Sequence, residues 1–73
     1  MKAKLVWASE SLEEGEKEIE LEGDRFKVED ILRRAGVNPV TVLVKLNDRI
    51  IPVEEEVEGE DIVLELIPVV SGG

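Results

Sequence analysis

The sequence predicts an α+β fold, a mixed sheet of about five strands with one helix packed across one face. Three observations carry this. Segments in which alternate residues are apolar stand near both ends of the chain, at 2–7 and 62–69. Val28, Ile31, Leu32 and Ala35 sit at i, i+3, i+4 and i+7, the stripe of one amphipathic helix. The order then reads β-β-α-β-β-β, and a helix laid on one sheet is the simplest two-layer arrangement for it.

Each element has its own local grounds. In the first strand, 2–7, Ala3, Leu5 and Trp7 face inward between Lys2 and Lys4. Residues 9–16 are polar, contain Gly15, and read as the turn of an antiparallel hairpin. The alternation returns over 17–22, with Ile19 and Leu21 inward, until Gly23–Asp24 stops the strand. The helix carries Glu29 and Asp30 in its first turn and Arg33 and Arg34 in its last, which suits its dipole. Gly36 supplies the C-terminal stop. Its start has a defect, because Lys27 stands at the cap position and its side chain cannot accept a hydrogen bond.

Asn38–Pro39 turns the chain. The β-branched run 41–46 reads as a central strand with Val42, Val44 and Leu46 inward and Leu43 and Lys45 outward. Asn47–Asp48 is a turn, and 50–53 a short strand that Pro52 assigns to a sheet edge. Residues 54–61 read as an acidic loop around Gly59. In the last strand Ile62, Leu64 and Leu66 face inward, and the helical crossover lets it pair in parallel beside the first.

A chain of 73 residues holds one modest core, here a single domain over 1–69 followed by a flexible tail, 70–73. With 18 acidic and 9 basic residues the net charge is −9, which disfavours nucleic-acid backbones and anionic membranes as partners. Cysteine and histidine are absent, which removes disulfides, thiolate nucleophiles and the commonest general base. A self-sufficient enzyme is therefore not expected. No apolar run is long enough for a signal peptide or a membrane span, so the expected compartment is the cytoplasm. The free protein is expected to be a monomer. Gln is absent and Asn occurs only at 38 and 47, a composition resembling that of thermophile proteins.

Side chains offer little chemistry. Glu54, Glu55, Glu56, Glu58, Glu60 and Asp61 are oxygen donors, but their spacing is not that of a calcium loop, and a solvated loop is the simpler reading. Ser9, Ser11 and Ser71 have no histidine to activate them and no nucleophile-elbow motif around them. Trp7 fits the strand alternation as a core residue. The C-terminus differs. At a background glycine frequency of about 7%, a terminal pair arises by chance in roughly half a percent of chains. Gly72 and Gly73 lack Cβ atoms, so another protein's backbone and a nucleotide can approach closely, and the only group presented is the Gly73 carboxylate.

With these residues in hand, the chain resembles the ubiquitin-like β-grasp sulfur carriers of thiamine and molybdopterin biosynthesis and the archaeal small modifier proteins. The resemblance rests on VEDILRRAG at 28–36, TVLVKLNDRIIP at 41–52, GEDIVLEL at 59–66 and IPVVSGG at 67–73. Asn47, Pro52, Gly59, Asp61, Gly72 and Gly73 match the family pattern, while Lys27 replaces a capping Thr or Ser and GED replaces DGD. The resemblance implies a carrier that binds no cofactor of its own. A partner adenylating enzyme of the ubiquitin-activating kind uses ATP and magnesium to adenylate Gly73. A sulfur donor displaces AMP to leave a thiocarboxylate, and a downstream synthase or tRNA-thiolation enzyme receives the sulfur. The alternative it implies is a protein modifier joined through Gly73 to target lysines. A plain binding module with incidental glycines is the third reading.

Parity places Leu43, Val63 and Ile67 on the sheet face away from the helix, beside Val6, Lys45 and Glu65. A single helix covers one face, so this apolar set is expected to be partly exposed and to form the partner surface, leading along the last strand to the tail.

Overall fold

Two hairpins and a strand that joins them make the main sheet. The computed structural model describes residues 1–8 and 16–69. Strand β1 (Lys2–Trp7) pairs antiparallel with β2 (Glu16–Glu20). A short β3 (Arg25–Lys27) leads directly into helix α1 (Val28–Arg34). A 3₁₀ turn (Pro39–Thr41) precedes β4 (Val42–Leu46), which forms a hairpin with β5 (Arg49–Ile51). β6 (Glu56–Glu58) and β7 (Asp61–Pro68) complete the described chain.

The five-stranded sheet has the order β2-β1-β7-β4-β5. β7 runs parallel to β1, with Leu5 beside Leu64, and antiparallel to β4, with Val44 beside Leu66. The parallel pairing expected from the helical crossover is what is found. β4 lies inside the sheet between β7 and β5, as the reading of 41–46 as a central strand expected, and β7 takes the middle place because it alone joins the two hairpins.

One correction concerns the acidic segment. Residues 54–61 are not simply a loop: β6 lies within them and pairs antiparallel with β3, Phe26 opposite Val57. This second, two-stranded sheet brings the described strands to seven rather than five. Both strands have three residues, too short for an alternation to register. Val57 is buried and Phe26 packs against the core, so the pair closes one end of the apolar interior.

The core is the predicted stripe on the predicted face. Val28, Ile31 and Leu32 of α1, with Ala35, meet Ala3, Leu5, Val44, Leu64 and Leu66 of the sheet. Leu5, Ile31, Leu32, Leu64 and Leu66 are fully buried, and each such side chain contributes roughly 1.5–3 kcal/mol. Trp7, Ile19, Leu46 and Ile62 pack at its margin, half-buried.

The helix ends are satisfied in different ways. Lys27 makes no side-chain cap, as its chemistry requires. Instead the N–H of Val28 donates to the Glu55 carbonyl at 2.9 Å and that of Glu29 to the Val53 carbonyl at 2.8 Å. Backbone brought alongside by the β3–β6 pairing thus fills the role of the missing Ser or Thr. At the other end Gly36, at φ 80°, closes a Schellman turn in which Val37 N–H donates to Leu32 O at 2.8 Å and Gly36 N–H to Arg33 O at 3.0 Å.

Candidate functional site

The candidate site is the face and terminus of β7. This strand is flanked on both sides, and backbone bonds continue past its last residue. On one side Ala8 N–H donates to Leu66 O at 2.9 Å; on the other Val69 N–H donates to Thr41 O at 2.9 Å. Thr41 is itself fixed by the 3₁₀ turn. Its hydroxyl and N–H both donate to Asn38 O, at 2.7 and 3.0 Å, while Asn38 Oδ1 accepts from Val40 N–H at 3.1 Å. The dipeptide Asn38–Pro39 therefore does more than turn the chain: Asn38 caps the short helix whose last residue holds Val69. Gly72 and Gly73, the expected reactive end, lie outside the described residues, as do Ser9, Ser11 and Ser71.

The sheet face away from α1 carries the three expected surface residues. Leu43 is 44% exposed and Val63 55%, while Ile67 is half-buried. Leu43 and Ile67 are register partners across β4 and β7. Val63 lies beside Lys4 of β1. Between them runs the row Val6, Glu65, Lys45 and Ile50, so charge interleaves with the apolar residues. Lys4 also pairs with Glu16 at 3.4 Å, an exposed pair that contributes at most about 1 kcal/mol.

Ile50, 61% exposed, belongs to this face and was not among the residues read from the sequence. The signal was present. Asn47 and Asp48 adopt φ 54° and 66°, the two positive values of a type I′ turn, which sets Leu46 opposite Arg49 and Lys45 opposite Ile50. Once that turn is recognised, Ile50 shares the outward parity of Lys45. Val40 and Val69, 85% and 45% exposed, add apolar surface where β7 ends.

Among the described residues no group of three or more acidic side chains is placed to hold a metal ion, and Glu58 of the acidic segment instead meets Arg25 at 3.5 Å. No helix among them is long and apolar enough to cross a membrane.

A mixed sheet whose last strand lies between the first strand and a later hairpin, with one helix across it, is the β-grasp arrangement, and the comparison with known proteins agrees. The ThiS family matches residues 5–73. The chain belongs to the ThiS family. The sulfur carrier protein TtuB of Thermus thermophilus is 37% identical over 57 residues, which cover 78% of this chain and 85% of that one. An uncharacterized protein of Archaeoglobus fulgidus is 33% identical over 73 residues, the full length of both chains. This ThiS-family chain shares with the second relative its whole span, including the segment that follows β7.

Proposed function

We propose that this protein is a sulfur carrier whose reacting group is the Gly73 carboxylate. Membership of the ThiS family, with a match that runs through Gly73, is the observation that carries the reading, and the similarity to a sulfur carrier protein supports it. The chemistry follows from the terminus. A carboxylate is a poor acyl donor at neutral pH. A Gly73 oxygen attacks the α-phosphorus of ATP held by a partner adenylating enzyme, and pyrophosphate leaves with its bond electrons. A sulfur donor at the oxidation level of hydrosulfide then attacks the acyl carbon, AMP departs, and a thiocarboxylate remains. Magnesium and ATP belong to the partner enzyme, and a downstream synthase or thiolation enzyme takes the sulfur. No acid or base is needed from this chain, which has neither His nor Cys.

The test is mass spectrometry of the full chain incubated with the adenylating enzyme, ATP, magnesium and sulfide. The expected product gains one sulfur in place of one oxygen at Gly73, and a chain lacking Gly72 and Gly73 folds normally but supports no ATP–pyrophosphate exchange. Undiminished exchange by the shortened chain would overturn the reading. Gly-Gly remnants on lysines of other proteins, without any thiocarboxylate, would replace it with protein modification through the same residue.

A further inference from the structure

Strand β2 is an edge of the main sheet, and the register fixes which of its backbone groups face outward. Leu21 N–H donates to Met1 O at 2.7 Å, and the Met1 nitrogen donates to Leu21 O at 2.7 Å. Bonded and non-bonded pairs alternate in an antiparallel ladder. Ile19 and Lys17, opposite Ala3 and Leu5, are therefore bonded to β1. Glu16, Glu18 and Glu20 direct their N–H and C=O groups to the free edge. Among the described residues no strand pairs with it.

The side chains of those three residues stand exposed on the face away from α1. A strand added here bonds to Glu16, Glu18 and Glu20, and every second side chain it carries lies opposite a carboxylate. On the β1 side Glu16 pairs with Lys4, and Glu18 and Glu20 stand opposite Lys4 and Lys2, so three carboxylates share two lysines. The side chains between them fall on the helix side. There a cleft of about 540 Å³ opens among Trp7, Lys17, Ala35, Gly36 and Val37. Trp7 and Val37 are half-buried and offer apolar walls. The cation in the cleft is already engaged, since Lys17 Nζ donates to Ala35 O at 2.7 Å.

A second copy of the chain does not suit this edge. Pairing β2 with itself about Glu18 sets Glu18 against Glu18 and Glu16 against Glu20, like charges directly opposite. The other edge is guarded differently: β5 has three residues and is followed by Pro52.

We propose that the β2 edge binds an extended segment of a partner protein in which Lys or Arg alternates with apolar residues. Main-chain bonds hold the segment, the glutamates select its basic positions, and the cleft beside Trp7 takes an apolar one. This binding is independent of the chemistry proposed for Gly73.

The experiment is an NMR titration of the full chain with a short peptide alternating Arg and Val. Controls are a peptide alternating Glu and Val and one with the same arginines and valines in two blocks. Saturable shifts at the amides of Glu16, Glu18 and Glu20 and at the Trp7 indole are expected. Glu18→Gln and Glu18→Lys are expected to weaken binding progressively, the latter by about tenfold, with unchanged circular dichroism. Equal binding of the blocked peptide, shifts spread over the whole acidic surface, or affinity indifferent to both Glu18 variants would overturn the proposal. So would a concentration-dependent dimer that occupies the same amides.

Discussion

Lys17 Nζ reaches across from the edge of the sheet to donate a 2.7 Å hydrogen bond to the carbonyl of Ala35. Ala35 is the C-cap of α1, so its carbonyl is one of the acceptors a helix end leaves open. The lysine occupies an inward-parity position, opposite Leu5, where an apolar residue would be conventional. A long stem lets it cover the margin of the core while its ammonium meets the negative end of the helix.

Replacing Lys17 by Ala removes both roles. Lys17→Ala is expected to lower stability by about 1 kcal/mol, and Lys17→Met by less because the stem is kept. Urea denaturation of the two variants checks this; equal stability of both with the parent would mean that the contact contributes nothing in solution.

Leu32 is fully buried between the helix and the sheet. Leu32→Ala is expected to cost about 2–5 kcal/mol, the range for emptying a packed core position. A denaturant midpoint that hardly moves would contradict the packing described for α1.

The β4–β5 turn offers a test of backbone conformation. Asp48 holds φ 66°, where a β-branched side chain is strained. Asp48→Val is expected to destabilise by roughly 1–2 kcal/mol, while Asp48→Gly leaves stability unchanged or raises it. Thermal melts of the pair check the sign, and a Val variant as stable as the Gly variant would contradict the type I′ geometry.

The outward face is proposed to meet the adenylating enzyme through Leu43, Val63 and Ile67. Leu43→Asp and Val63→Asp are then expected to weaken that binding at least tenfold, a change of about 1.4 kcal/mol, with little effect on folding because both side chains are already exposed. Calorimetric titration beside thermal melts is the check. Normal affinity in both folded variants would place the enzyme elsewhere.

What the sequence made legible follows element length. β5, with three residues, was legible only from Asn47–Asp48 before it and Pro52 after it, whereas strands with five or more residues and the helix stripe announced themselves, because two or more periods of alternation, or two helical turns, leave a pattern. β3 and β6 did not, since three residues hold barely one period and Glu56 and Glu58 look like solvated loop. Their pairing depends on the long-range meeting of Phe26 and Val57. The same blindness hid the helix cap: Lys27 looked like a defect because the acceptors, Val53 and Glu55, are distant in sequence. At the site, parity placed Leu43 and Val63 outward correctly. Ile50 escaped because its parity depends on the register across Asn47–Asp48, and the hold of Thr41 on Val69 because a 3₁₀ turn has no apolar period.

The position of β7 between β1 and β4 also decides how the domain answers to mechanical load. Tension applied to the end of β7 acts along the strand, while the hydrogen bonds on both flanks lie across it. Such a pull loads the rungs of two ladders together in shear and does not open them one at a time, as it would at an edge strand. A load delivered at Val69 is carried by both ladders at once, and the sheet stays closed under it.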